Sequence, residues 1–128
     1  MDGQHKVQPL GGRVLVVDDD PEIRALLSDF LTVQHFEVKT ACDAQTALAL
    51  FEPGRFDVLL VDFQMSGMTG LELAAVVRKQ DPLIPIALIT GSSQMLAAQE
   101  ISQAGINRMF SKPFDLNEIG SWLASLSL

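Results

Sequence analysis

Four short stretches of this 128-residue chain carry side chains able to do chemistry together. Asp18, Asp19 and Asp20 follow the apolar run RVLVV (13–17), Asp62 follows DVLLV (57–61), Thr90 ends IALIT (86–90), and Lys112 stands in SKPF. Carboxylates gathered without a counter-charge repel, and at least one then has a raised pKa. A hard cation removes the conflict, and Mg²⁺ takes one or two carboxylates, several waters and phosphate oxygens. A carboxylate can also attack phosphorus to give an acyl phosphate. Asp62 suits that role, because it leaves a buried apolar run and precedes a loop, FQMSGMTG, able to admit a donor. The remaining work would be electrostatic, since the equatorial oxygens of a transferring phosphoryl group need fixed positive charge. Lys112 offers that charge, and the X-Pro bond after it can be cis and set a tight bend that aims the lysine inward. Thr90 offers a hydroxyl, and Gly91 beside it leaves room for the group.

These residues need elements to carry them. RVLVV is a continuous apolar run bounded by acids, as in a strand buried on both faces. Ile23, Leu26, Leu27, Phe30 and Leu31 then recur at helical spacing, with Asp20 placed to cap and Pro21 at the first helical position. FEVKTA (36–41) reads as a strand, Asp43 as the cap of a helix through Ala44, Ala47, Leu48 and Phe51, and Pro53-Gly54 as its stop. DVLLV is the most hydrophobic strand; a helix through Leu71, Leu73, Ala74 and Val77 follows the glycine-bearing loop. IALIT is a fourth strand, followed by a helix over about 93–104, a short strand around Arg108–Phe110 and a last helix carrying Leu116, Ile119, Leu123 and Leu126. Alternating strands and helices imply a parallel, doubly wound α/β sheet with right-handed crossovers. In such sheets ligands sit beyond the carboxyl ends of the strands, where Asp18, Asp19, Asp62, Thr90 and Lys112 all fall.

Composition narrows the setting. A chain of this length with 48% hydrophobic residues makes one domain, here residues 13–128, after a flexible polar lead-in over 1–12 that ends in Gly11-Gly12. No apolar run approaches a membrane span, and the first residues lack the apolar core of a secretory signal. A single cysteine excludes an internal disulfide and points to a reducing, cytoplasmic setting, with Cys42 as a small buried filler. Nine Lys and Arg against sixteen Asp and Glu give a net charge of −7 and no basic stripe, which argues against direct nucleic-acid contact.

The segments VLVVDDDP, DVLLVDFQMSG, ALITG and FSKPF, in this order and spacing, resemble the receiver domains of bacterial response regulators from about Arg13 to Leu126. The resemblance implies a flavodoxin-like (βα)5 fold with a five-stranded parallel sheet ordered 2-1-3-4-5. It implies Asp62 as phosphoacceptor, Mg²⁺ held by Asp18, Asp19, Asp62 and the backbone carbonyl of Gln64, Lys112 pairing with the phosphoryl group, and Thr90 moving to hydrogen-bond it. It further implies a sensor histidine kinase or a histidine phosphotransfer protein as donor, and an output partner or domain as receiver of the signal. Such a module catalyses its own phosphorylation and dephosphorylation without being a conventional enzyme.

The chain departs from that pattern in places. Ser66 stands where most receivers have proline, Thr69 where they have an acid, and Met109 where many carry an aromatic that swings with the threonine. A flexible methionine fills a gap without forming a rigid two-position switch. Gln64 and Ser92 fall at positions that tune phosphoryl lifetime in similar proteins.

Blander readings apply to single residues. One acid suffices to cap a helix, so DDD exceeds that need; an isolated threonine or lysine at Thr90 or Lys112 is ordinary. His35 fits a positive-φ helix stop better than a metal ligand, and His5 belongs to the lead-in. Met95, Leu96, Met109 and Trp122 are candidates for a partner surface or for core packing. An aspartate-nucleophile phosphohydrolase of the haloacid dehalogenase type usually carries a second acid two residues on, where this chain has Gln64. A flavodoxin-like cofactor binder would not place three acids against a phosphate. The non-enzymatic alternative is a receiver-like interaction module working without phosphorylation.

Overall fold

The computed structural model describes residues 12–91 and 96–128. Five strands, β1 (Gly12–Val17), β2 (Phe36–Ala41), β3 (Val58–Asp62), β4 (Ile86–Thr90) and β5 (Arg108–Ser111), alternate with five helices, α1 (Pro21–Val33), α2 (Ala44–Leu50), α3 (Gly70–Gln80), α4 (Ala98–Gln103) and α5 (Leu116–Ser125). The strands form one sheet in the order β2-β1-β3-β4-β5, every pairing parallel. The expected fold class and strand order are therefore both observed.

The strand sequences account for the two cores. Successive side chains on a strand point to opposite faces. Leu15, Val17, Leu59, Val61 and Leu88 thus pack with Phe51, Leu73 and Val77 on one face. Val14, Val16, Leu60, Ala87 and Ile89 pack with Leu27, Leu31, Ile119 and Leu123 on the other. All five residues of β3 and of β4 are buried, which explains why those runs are continuously apolar rather than alternating.

The helices start where local chemistry stops the strands. Asp20 caps α1 by accepting the Glu22 amide, and Pro21 follows it at the first helical position. Asp43 caps α2 by accepting from Thr46 N. Thr69 closes a capping box on α3: its Oγ1 accepts from Glu72 N, and Glu72 Oε1 accepts from Thr69 N. That box, worth about 1 kcal/mol, gives a local reason for the threonine at a position where the family pattern has an acid. His35 takes φ 72 at the end of α1, as expected of a helix stop.

Three expectations need correction. Cys42 is exposed, not a buried filler, because β2 ends at Ala41 and the next residue already turns outward at the sheet's edge. The third strand runs one residue later than expected, Val58–Asp62; Asp57 before it is stapled to β1, its carboxylate accepting from Arg13 N at 2.8 Å and Arg13 Nε at 3.2 Å while Asp57 N donates to Arg13 O. The helix expected over 93–104 is only Ala98–Gln103. Leu96 and Ala97 are not helical, Ala97 N is held by Glu100 Oε1, and none of the residues of α4 is buried. Ser92 and Met95 lie outside the described residues. Among the described residues no helix is long and apolar enough to cross a membrane.

Candidate functional site

The parallel register carries the motif residues to one edge of the sheet. Asp18 leaves β1 with its amide donating to Ala41 O, and Asp62 is the last residue of β3, paired with Ile89. Thr90 ends β4 and pairs with Ser111, while Lys112 N donates to Thr90 O at 2.7 Å. The Lys112–Pro113 peptide is cis.

The side chains converge as the sequence predicts. Ligand atoms of Asp18, Asp19 and Asp62 all lie within 4.8 Å of one another. Lys112 Nζ is 3.0 Å from Asp62 Oδ1 and 3.7 Å from Asp18 Oδ2. Asp18, Asp62 and Thr90 are buried, whereas Asp19 and Gln64 are exposed. Met109 is half-buried against the core face that holds Leu88 and Ile106, and Trp122 packs edge-on to Phe110 on the opposite face. Met109 and Trp122 are therefore core packing in part, and Leu96 is half-buried likewise.

Electrostatics follow from this crowding. Burial, partly offset by the hydrogen bond from Lys112 and reinforced by Asp18, pushes the Asp62 carboxyl up to about 6. Asp18 is raised too, by burial first, against the opposing amide of Asp20 and charge of Lys112. Burial works against the Lys112 ammonium, but its hydrogen bond to Asp62 and the surrounding acids outweigh it and hold its pKa above the ordinary lysine value. One ammonium does not satisfy three carboxylates. Among the described residues Asp18 Oδ2 is buried without a hydrogen-bond partner, and an orphaned buried carboxylate oxygen is costly. The donor set, all hard oxygens around a site with surplus negative charge, fits a Mg²⁺ ion.

Two further residues shape the site without having stood out in the sequence. A methyl group on Gly70 would overlap the backbone carbonyl oxygen of Asp62, so only glycine lets α3 begin against the end of β3; Gly70 N donates to Phe63 O at 2.9 Å. The signal was present as the last residue of SGMTG, where it read merely as part of a glycine-bearing loop. Arg24 donates from α1 to the Asp18 carbonyl oxygen at 2.7 Å; an arginine on a helix surface carries no sequence signal for such a partner.

Comparison with known proteins follows the same lines. The model of the response regulator receiver domain family matches residues 14–124. The chain is 34% identical over 105 residues to the chemotaxis protein CheY of Pseudomonas aeruginosa, covering 80% of this chain and 85% of that one. It is 32% identical over 117 residues to the transcriptional regulatory protein TcrA of Mycobacterium tuberculosis, covering 91% of this chain but 46% of TcrA, so it spans about half the length of such relatives. The solved structure of the chemotaxis response regulator CheY4 of Vibrio cholerae matches with a TM-score of 0.80 at 35% identity, over 91% of this chain and 98% of that one. The response regulator TrrA of Thermotoga maritima, solved in complex with Mg²⁺ and BeF, matches with a TM-score of 0.80 at 32% identity, over 89% and 97%. With these matches the hydrolase and interaction-only alternatives are not favoured. Motif, strand order and likeness agree, and the chain belongs to the response regulator receiver domain family.

Proposed function

We propose that this receiver domain accepts a phosphoryl group from a phosphohistidine donor onto Asp62, and that the modified site alters the surface it offers to an output partner. Receiver domains take phosphoryl groups from histidine kinases and pass the signal to output domains; Asp62, Lys112, Thr90 and the acids at the carboxyl end of β1 are this chain's share in that exchange. The observation that carries the reading is the position of Lys112 Nζ, 3.0 Å from the Asp62 carboxylate and beside the orphaned Asp18 Oδ2.

An Asp62 oxygen attacks the phosphorus of the donor phosphohistidine; the P–N bond breaks as the P–O bond forms, and the imidazole nitrogen that leaves takes up a proton. Asp18, Asp19, Asp62 and the Gln64 backbone carbonyl would hold Mg²⁺, which when bound supplies positive charge to the phosphoryl oxygens and keeps the acids ionised at neutral pH. Lys112 moves from the free carboxylate to a phosphoryl oxygen, a charge-assisted contact whose strength grows in this buried setting. The Thr90 hydroxyl donates to another oxygen, and the strand end at Gly91 leaves space for it. Met109, in the strand beside Thr90's, follows by changing rotamer, a softer response than a rigid ring would make.

Incubation with acetyl phosphate and Mg²⁺, read by intact mass, tests this. Wild type should gain one phosphoryl group and Asp62→Asn none. Stoichiometric labelling of the Asn variant at another residue refutes the assignment, and a wild type that gains nothing supports an interaction module instead. Lys112→Ala should still fold but lose the coupling between labelling and partner affinity.

A further inference from the structure

Arg24 stands in the first turns of α1, half-buried, in a segment that also holds Asp18, Asp19, Asp20 and Glu22. Among the described residues its guanidinium forms no ion pair with any of these acids. It donates instead to a neutral group, the backbone carbonyl of Asp18, at 2.7 Å. An arginine with four acids among the six residues before it that donates to a carbonyl instead acts on backbone geometry.

That carbonyl belongs to the peptide joining Asp18 to Asp19. Because the peptide is planar, fixing its oxygen fixes the plane and with it the Cα of Asp19. Asp18 is otherwise fully constrained: its amide donates to Ala41 O at 3.1 Å, and its Oδ1 accepts from Asp20 N at 2.9 Å, leaving Oδ2 toward Lys112. Asp19 is different. Its side chain is exposed and makes no hydrogen bond among the described residues, yet it lies within the three-carboxylate cluster. The Asp18–Asp19 peptide, held by Arg24, sets where the Asp19 side chain starts.

We propose that Arg24 is a positioning residue for divalent-cation binding, holding the Asp18–Asp19 peptide so that the exposed Asp19 carboxylate stays in reach of Asp18 and Asp62. This rests on the reading of that cluster as a Mg²⁺ site. The sign of its effect separates it from simple electrostatics. A guanidinium near a cation site repels the cation, so removing its charge alone tightens binding. Losing an outer hydrogen bond that orients a ligand weakens binding by about 10- to 100-fold.

Mg²⁺ titration of the unphosphorylated chain, followed by amide NMR shifts of Asp19, Asp20 and Phe63, distinguishes the two in wild type, Arg24→Met and Arg24→Lys. Methionine keeps the apolar stem and removes donor and charge; lysine keeps a donor and the charge. Arg24→Met should bind Mg²⁺ about 10-fold more weakly, with Arg24→Lys recovering most of the loss and metal-free thermal stability little changed. Equal or tighter binding by Arg24→Met while wild type binds normally overturns the role of Arg24 alone. Absence of Mg²⁺ binding in wild type overturns the metal reading and this proposal with it. Should Arg24→Met fail to fold, Arg24→Gln carries the same comparison, and the same outcomes decide.

Discussion

Replacing Asp62 by asparagine should make the metal-free protein more stable at neutral pH, and the gain should vanish in acid. The Asp62 carboxyl is raised from an ordinary 3.8 to about 6, chiefly by burial. Its folded-state pKa therefore exceeds its unfolded one, so between these values the native state holds more protons than the unfolded state. Stability then falls as pH rises from about 4 to about 6, and the full cost persists above that window. A shift of about two units corresponds to about 3 kcal/mol. That value already includes the opposing hydrogen bond and charge of Lys112, so asparagine, a neutral acceptor like the protonated acid, removes this cost. A net gain of about 3 kcal/mol, or roughly 9 °C in Tm for a domain of this size, is expected at about pH 7.5. Asp18, shifted in the same direction, remains in the variant and keeps part of the slope. The assay is urea or thermal unfolding in EDTA from about pH 4.5 to about pH 8. Wild type and variant should converge at the acid end and diverge above about pH 6, and added Mg²⁺ should raise wild type more than the variant. Parallel stability profiles across the whole range would refute the reasoning, because they would mean that burial of the Asp62 charge carries no cost.

Other consequences are as concrete. Gly70→Ala forces the start of α3 away from the Asp62 carbonyl, and should cost about 2–4 kcal/mol in unfolding experiments while reducing phosphoryl uptake; a silent substitution would contradict the packing described. Asp57→Asn weakens the staple to Arg13. Although burial opposes it, the Arg13 contacts hold the Asp57 carboxyl below its ordinary pKa, so its contribution of about 1 kcal/mol should be present at neutral pH and disappear as pH falls below about 4, as seen by comparing denaturation midpoints with wild type. Arg78→Met removes donors to Asp81 O, Pro82 O, Gly105 O and Asn107 Oδ1, and should cost about 2 kcal/mol with faster hydrogen exchange in the turn that joins α4 to β5. Cys42, exposed at the end of β2, should react with one equivalent of a thiol reagent in the native protein, and protection until unfolding would restore the buried reading.

Local chemistry in the chain determined the order and kind of the elements. Asp20-Pro21, Asp43 and the apolar runs of β3 and β4 act through capping bonds and side-chain periodicity that involve only near neighbours, so they are legible without coordinates. The gathering of the candidate residues was legible as well, since parallel strands must deliver residues at their carboxyl ends to one edge, and Asp18, Asp62, Thr90 and Lys112 all close or follow such strands. What depends on distant segments meeting was not. The orphaned Asp18 Oδ2, the fit of Gly70 against Asp62, the bond of Arg24 to the Asp18 carbonyl, the outward turn of Cys42 and the shortness of α4 each depend on which group from elsewhere fills the adjoining space. Burial and hydrogen-bond partnership are properties of that filled space, and only the assembled sheet with its two helical layers decided them.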